Sequence, residues 1–350
     1  ADMLTLAYRQ VMAAHKLVED EQDGLLYISK ECLSNGCAAT ADVSYPSMPM
    51  YLLYNPELVN GMLRPILHYA KSADWPFEFA PHDVGCYPQV NGQVYCAHSD
   101  PSHQMPIEEC GNMLVMAAAA VTAGAGTELF AENRALFAQW ADYLIAHGED
   151  PADQICTDDF FRHLAHNCNL GLKAIMGIAS MAILLTRTGD SEAAARYRDT
   201  ARTMARSWVS RAAKGDGSFR LAFDQPDTFS LKYNIVWDKL FGTGLFTEQE
   251  LADEFASYHQ YTNRYGTPLD SRGSTSKSDW QAWTGVLAKD SAEFEAFMTP
   301  VWRYFNEMES RVPMADWYST KTAKYFYMMH RSVQGGLFIR LLAQEDTCRI

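Results

Sequence analysis

The chain has 350 residues, of which 48% are hydrophobic and 21% charged, with a formal net charge of −14. That is ample for a large core and excludes a disordered composition. The basic residues are scattered, so nothing would neutralise phosphates and a nucleic-acid partner is not expected.

The N-terminus, "ADMLTLAYRQ", has no signal-peptide layout and begins almost inside a helical pattern, as an excised or proteolysed start would. Apolar periodicity predicts helices over 3–19, 46–54, 56–71, 106–123, 129–148, 165–187, 191–213, 229–241, 247–259, 276–288, 291–307 and 329–344, with few strands. They alternate in character. "SEAAARYRDTARTMARSWVSRAAK" carries a polar face at helical spacing, whereas "GNMLVMAAAAV" and "LGLKAIMGIASMAILL" are apolar or small nearly all round. Amphipathic helices belong outside and all-round apolar ones inside. No apolar run is free enough of charge and polarity to span a bilayer, so no membrane partner is expected.

Connections alternate too. The long ones, 20–45, 72–105, 149–164, 214–228, 260–275 and 308–328, each lead into an inner helix, and inner-to-outer turns are a few residues. In an antiparallel series all long loops then share one end, and long loops in a compact domain are usually functional. The pattern predicts an all-α fold, an (α/α)6 barrel of six inner and six outer helices forming a single domain over 1–350. Its active site would lie on the long-loop rim at the inner helices' N-termini.

Eight cysteines occur, at 32, 37, 86, 96, 110, 156, 168 and 348. "ECLSNGC" and "GCYPQVNGQVYC" each bracket turn residues, which suits local disulfides Cys32–Cys37 and Cys86–Cys96. No CxxC or zinc-type spacing is present. His163 and His166 lack a third ligand at a telling distance, so no metal is expected, although a structural calcium ion at the rim stays open.

The rim is rich in titratable groups. "CTDDFFRHLAHNCNLG" packs Asp158, Asp159, His163, His166, Asn167 and Asn169 before a buried helix. Other long loops bring Glu31 and Asp42; His82 and Asp83; Glu108, Glu109 and Asn112; Lys277, Asp279 and Trp280; Asp316, Trp317 and Arg331. Paired carboxylates in a partly desolvated pit have their pKa values pushed apart, which sets up one general acid and one general base. Local roles compete: Asp158 or Asp159 as a helix cap, and His82–Asp83 as a loop-ordering pair. No G-x-S-x-G, S-x-x-K, P-loop or GxGxxG motif advertises a nucleophile or nucleotide site.

The stretches "LLYISKECLSNGCAATADVSYPSMPMYLLYNPEL", "APHDVGCYPQVNGQVY", "MPIEECGNML", "CTDDFFRHLAHNCNLGLKAIMGI", "YGTPLDSR…SKSDWQAWT" and "SRVPMADWY" together resemble the glutaminase A family of secreted fungal and bacterial proteins. The resemblance covers nearly the whole chain. It implies hydrolysis of the L-glutamine side-chain amide, outside the cell and without an organic cofactor. It also implies a β-rich region ahead of this domain, missing here, as a partner from the same precursor.

The resemblance assigns no catalytic residues; the rim does. Among Asp83, Glu109 and Asp159, one is expected to act as base and another as acid. Arg331, Lys277 or a helix N-terminus would hold the substrate α-carboxylate, and Asp279 the α-ammonium. His82, Asn112, Asp158, His166, Asn167 and Trp280 complete the expected substrate-binding set. A glycoside hydrolase using paired carboxylates on the same barrel is the alternative. A non-catalytic carbohydrate or peptide binder is the third reading, disfavoured by the number of rim acids.

Overall fold

The computed structural model describes residues 1–21, 24–95, 101–309 and 313–350. Helix α1 (Asp2–Ala13) leads into a hairpin, β1 (His15–Asp20) and β2 (Gly24–Ser29), then α2 (Ala41–Tyr54) and α3 (Glu57–Ala70). Next come α4 (Pro106–Thr122), the short α5 (Glu128–Glu132), α6 (Arg134–His147), α7 (Cys168–Arg187) and α8 (Ser191–Ala212). A 3₁₀ turn at Tyr233–Ile235 runs into α9 (Val236–Phe241), followed by α10 (Glu248–Ser257). Strand β3 (Thr275–Lys277) feeds α11 (Ser278–Gly285), then come α12 (Ser291–Glu307) and β4 (Trp317–Ser319). A 3₁₀ segment at Ser332–Phe338 runs into α13 (Ile339–Gln344).

The inner ring is α2, α4, α7, α9 with its 3₁₀ turn, α11, and the Ser332–Gln344 segment, which returns to α2. Outer helices α3, α6, α8, α10 and α12 alternate with these, and α1 covers the closing segment. The fold is the expected (α/α)6 barrel. Helix α7 is apolar on every side because every residue from Cys168 to Leu185 is buried. By length and composition it would suffice to cross a bilayer, contrary to the sequence expectation, yet it lies wholly inside the barrel. It crosses α4 closely: a Cβ at Gly177 would lie 3.2 Å from the Gly111 Cα, tighter than an ordinary contact. Helix α8 keeps a polar face outward, and its N-cap Asp190 accepts from Ala193 N–H at 3.1 Å.

Two expectations need correcting. The helix expected over 3–19 stops at Ala13, because His15 is held in the hairpin. Its ring stacks on Tyr27 at 4.5 Å and its Nδ1 lies 3.0 Å from the Tyr51 hydroxyl; these tertiary contacts override local helical pattern. The Cys32–Cys37 bond is absent, both being free thiols. Cys32 sits in a left-handed turn (φ 55°), and Cys37 instead faces Cys86 across an antiparallel bridge. The Cys86–Cys96 expectation falls on residue 96, outside the described residues.

Along the barrel axis each inner element contributes a polar or aromatic side chain. Lys173 of α7 lies over the Tyr45 ring of α2, 3.2 Å from its centroid. Tyr45 donates to Asn234 at 3.0 Å, Asn234 to the Asn169 carbonyl at 3.2 Å, and Trp283 packs 4.9 Å from Tyr45. This network forms the floor beneath the rim.

Candidate active site

Every inner element points its N-terminus at the same end, and the loops converge there. Asp42 is the second residue of α2, Glu108 and Glu109 lie in the first turn of α4, Asn167 caps α7, Lys277 precedes α11, and Arg331 precedes the last segment. Carboxylates in first helical turns sit at the positive end of the helix dipole.

Glu109 is fully buried. Its Oε2 accepts from the Asn112 amide at 2.9 Å, and its Oε1 has no hydrogen-bond partner. The orientation of Asn112 is fixed from behind: Lys173 Nζ donates to its carbonyl at 2.5 Å and pairs with Glu108 at 3.1 Å. Burial, then the Asp42 carboxylate, pushes Glu109 well above the ordinary carboxyl range, although His82 and Asn112 oppose the shift. Burial therefore favours the protonated form of Glu109.

His82 is clamped between two carboxylates, with Nδ1 2.9 Å from Asp83 and Nε2 3.5 Å from Asp42. Burial alone would lower its pKa, but the Asp83 hydrogen bond and the Asp42 charge lead in lifting it to about 10. The Tyr95 ring stacks on it at 4.2 Å. Asp83 is itself saturated: Gly85, Val94 and Tyr95 donate backbone N–H groups at 3.0, 3.1 and 3.2 Å. It stands behind His82 and fixes it.

Asp159, on the loop before α7, is partly exposed. Burial and Asp42 raise its carboxyl to about 6, against His163, Arg272 and His82. Asp42 raises and His82 lowers the carboxyl pKa of both Glu109 and Asp159. Arg272 fastens this loop through the Asp158 carbonyl at 2.9 Å while paired with Asp270 at 2.7 Å. Asp158 is buried and accepts from Tyr233 at 2.6 Å; burial, Glu108 and Asp270 raise it to about 7 although the Tyr233 hydrogen bond opposes.

A charged wall completes the rim. Arg331 donates to Asp316 through Nε at 3.1 Å and Nη2 at 2.6 Å, and lies 3.6 Å from Glu31. Lys277 pairs with Asp279 at 3.1 Å and stands 4.8 Å from the Trp280 ring centroid. Burial, with Asp316 adding to it, raises Asp279 to about 6 against the opposition of Lys277 and Arg331. Phe160 and Trp317, both partly exposed, stack at 4.7 Å over this side.

Other sequence candidates lie elsewhere. His166 is turned outward, pairing with Asp150 at 2.8 Å beside Arg211. Asn167 caps α7, accepting from Asn169 and Leu170 N–H. Trp280 is core, stacked 4.0 Å from Tyr233. Sequence reasoning passed over Lys173 and Tyr233; a lone lysine inside an apolar helix was a readable signal, since such a charge needs a buried partner. Among the described residues, Cys37, His82 and Asp83, and Glu31, Asp42 and His82, bring ligand-type atoms within 4.8 Å. His82 belongs to both groups.

Residues 1–341 match the model of the glutaminase A six helical-hairpin domain. The chain is 31% identical over 345 residues to "Glutaminase A" of Aspergillus oryzae, covering 97% of this chain and 49% of that protein. It is 26% identical to a "Probable glutaminase" of Arthroderma benhamiae, covering 99% of this chain and 50% of the other. The chain thus spans about half the length of these curated relatives. A metal-independent α-mannosidase of Streptococcus pneumoniae shares the fold, with TM-score 0.63 at 10% identity over 99% of this chain and 94% of that one.

Proposed function

The chain belongs to the glutaminase A six helical-hairpin family, and from that premise we propose that it hydrolyses the side-chain amide of L-glutamine to glutamate and ammonia. The observation that carries the chemistry is a buried Glu109 whose carboxyl is raised well above the ordinary range, on the same rim as an Asp159 raised to about 6, each shifted by burial and by Asp42. Two carboxyls with pKa values pushed apart supply an acid and a base together.

In this reading Asp159 takes a proton from water as its oxygen bonds to the amide carbon. Glu109 gives its proton to the departing nitrogen as the C–N bond breaks. Asp42 keeps the proton on Glu109 by charge repulsion, and the His82 imidazolium, oriented by Asp83, holds Asp42 in place. The wall of Arg331, Asp316, Lys277 and Asp279 alternates in sign, which matches a zwitterionic amino acid: cations for its carboxylate, Asp279 for its ammonium. An extracellular site of action, without an organic cofactor, belongs to the same proposal.

The same acid–base pair would serve glycoside hydrolysis, the activity named for several proteins of this fold. The alternating wall favours the amino acid. Ammonia release from L-glutamine by the purified chain, beside a panel of aryl glycosides, tests the choice. Ammonia alone supports the proposal. Glycoside turnover alone replaces it with sugar chemistry on the same carboxyls, and silence on both points first to the half of its relatives' length that this chain does not span, and only then to a binding role.

A further inference from the structure

We propose that Cys37 and Cys86 form a cross-strand disulfide under oxidising conditions, fastening the segment that carries Glu31 to the loop that carries His82 and Asp83. The two residues oppose each other in an antiparallel bridge. The flanking hydrogen bonds, Ala38 N–H to Gly85 O at 2.8 Å and Tyr87 N–H to Gly36 O at 3.4 Å, make them a non-hydrogen-bonded pair. In such pairs the Cα atoms are about 4.5 Å apart and the side chains leave on the same side, within the roughly 4.4–6.8 Å that a disulfide spans. The sequence spacing hid this, because the partners are distant in the chain while Cys32 is near.

The chemistry suits the placement. Cys86 is exposed and Cys37 buried, so a small disulfide oxidant such as oxidised glutathione meets Cys86 first. The Cys86 thiolate attacks it, releasing one glutathione thiolate and leaving a mixed disulfide. Cys37 then loses its proton to solvent and attacks the Cys86 sulfur, releasing the second glutathione. Two protein thiols are oxidised by two electrons, and one oxidised glutathione becomes two reduced ones. Burial, with Asp83 and Glu31 nearby, holds the Cys37 thiol high; it is a poor leaving group, and the finished bond is reduced slowly.

The bond would sit beside the site. Val84 N–H donates to Ala38 O at 3.2 Å, Ala41 N–H to His82 O at 2.8 Å, and Gly85 N–H to Asp83 at 3.0 Å. The test is to equilibrate the folded chain in glutathione buffers, block free thiols, and map unreduced peptides by mass spectrometry. A peptide pair joining residues 37 and 86 is expected, absent in Cys86→Ser. Oxidised wild type should melt higher than reduced by roughly 5 °C, a gap that Cys86→Ser abolishes. A Cys86–Cys96 or Cys32–Cys37 link, or blocking of both thiols at every potential, overturns the proposal. Mapping reads covalent state alone, so its failure leaves the proposed hydrolysis standing, and loss of the hydrolysis leaves the mapping informative.

Discussion

Lys173 and Glu108 form an ion pair at 3.1 Å with both side chains shut off from solvent, and the same ammonium anchors the Asn112 amide that bonds Glu109. One buried charge therefore reaches both Glu108 and, through Asn112, Glu109.

Removing one partner of such a pair leaves a buried charge uncompensated. Lys173→Met is expected to cost about 3–5 kcal/mol, read as a lowered denaturation midpoint in urea. Lys173→Met combined with Glu108→Gln should recover much of that loss, as a double-mutant cycle would register. Strictly additive effects would contradict the pairing.

Glu109→Gln replaces a neutral acid with a neutral amide of the same shape. It should leave the melting temperature nearly unchanged and lower kcat by about a hundredfold or more. A large loss of stability would mean that Glu109 is ionised in the fold. Unchanged kcat would remove it from the chemistry.

The Asp159 carboxyl, raised to about 6 by burial and Asp42, must be ionised to act as base. kcat/KM should fall as pH drops below about 6. Asp159→Asn should be slow at all pH values and lose that acid limb. A full acid limb in the variant would assign it to another group.

His82, lifted to about 10 from an ordinary 6.5, binds its proton more tightly folded than unfolded. Its stabilisation is complete below about pH 6.5 and fades as pH rises through about 10. His82→Gln should therefore destabilise strongly near neutrality, and the gap to wild type should narrow at alkaline pH. Chemical denaturation across that range measures it; a gap that widened with pH would mean a neutral His82.

Much of the rim was readable because helix character and loop length alternate together. That pattern put Glu109, Asp159, Lys277 and Arg331 at one end, where the structure has them. It did not separate residues facing the space from those behind it. Asp83 spends its oxygens on His82 and backbone N–H groups, His166 turns to Asp150, and Trp280 packs into the core. Such differences depend on side-chain direction, which a loop's composition does not carry. The hairpin escaped notice for a related reason: His15, Tyr27 and Tyr51 meet only once α2 is in place.

Gln10 joins the two ends of the barrel. Its amide donates to the carbonyls of Met314 and Arg331 and accepts the Met314 N–H at 2.7 Å. The seam beyond is tight, since a Cβ at Gly335 would lie 2.2 Å from the Ser47 carbonyl oxygen. Arg331 reaches Glu31 across this seam. During synthesis Gln10 of α1 must therefore wait for these partners until Met314 and Arg331 have emerged. The charged wall depends on contacts of very long sequence separation, so a shortened chain would hold Glu109 and Asp159 without Asp316 and Arg331.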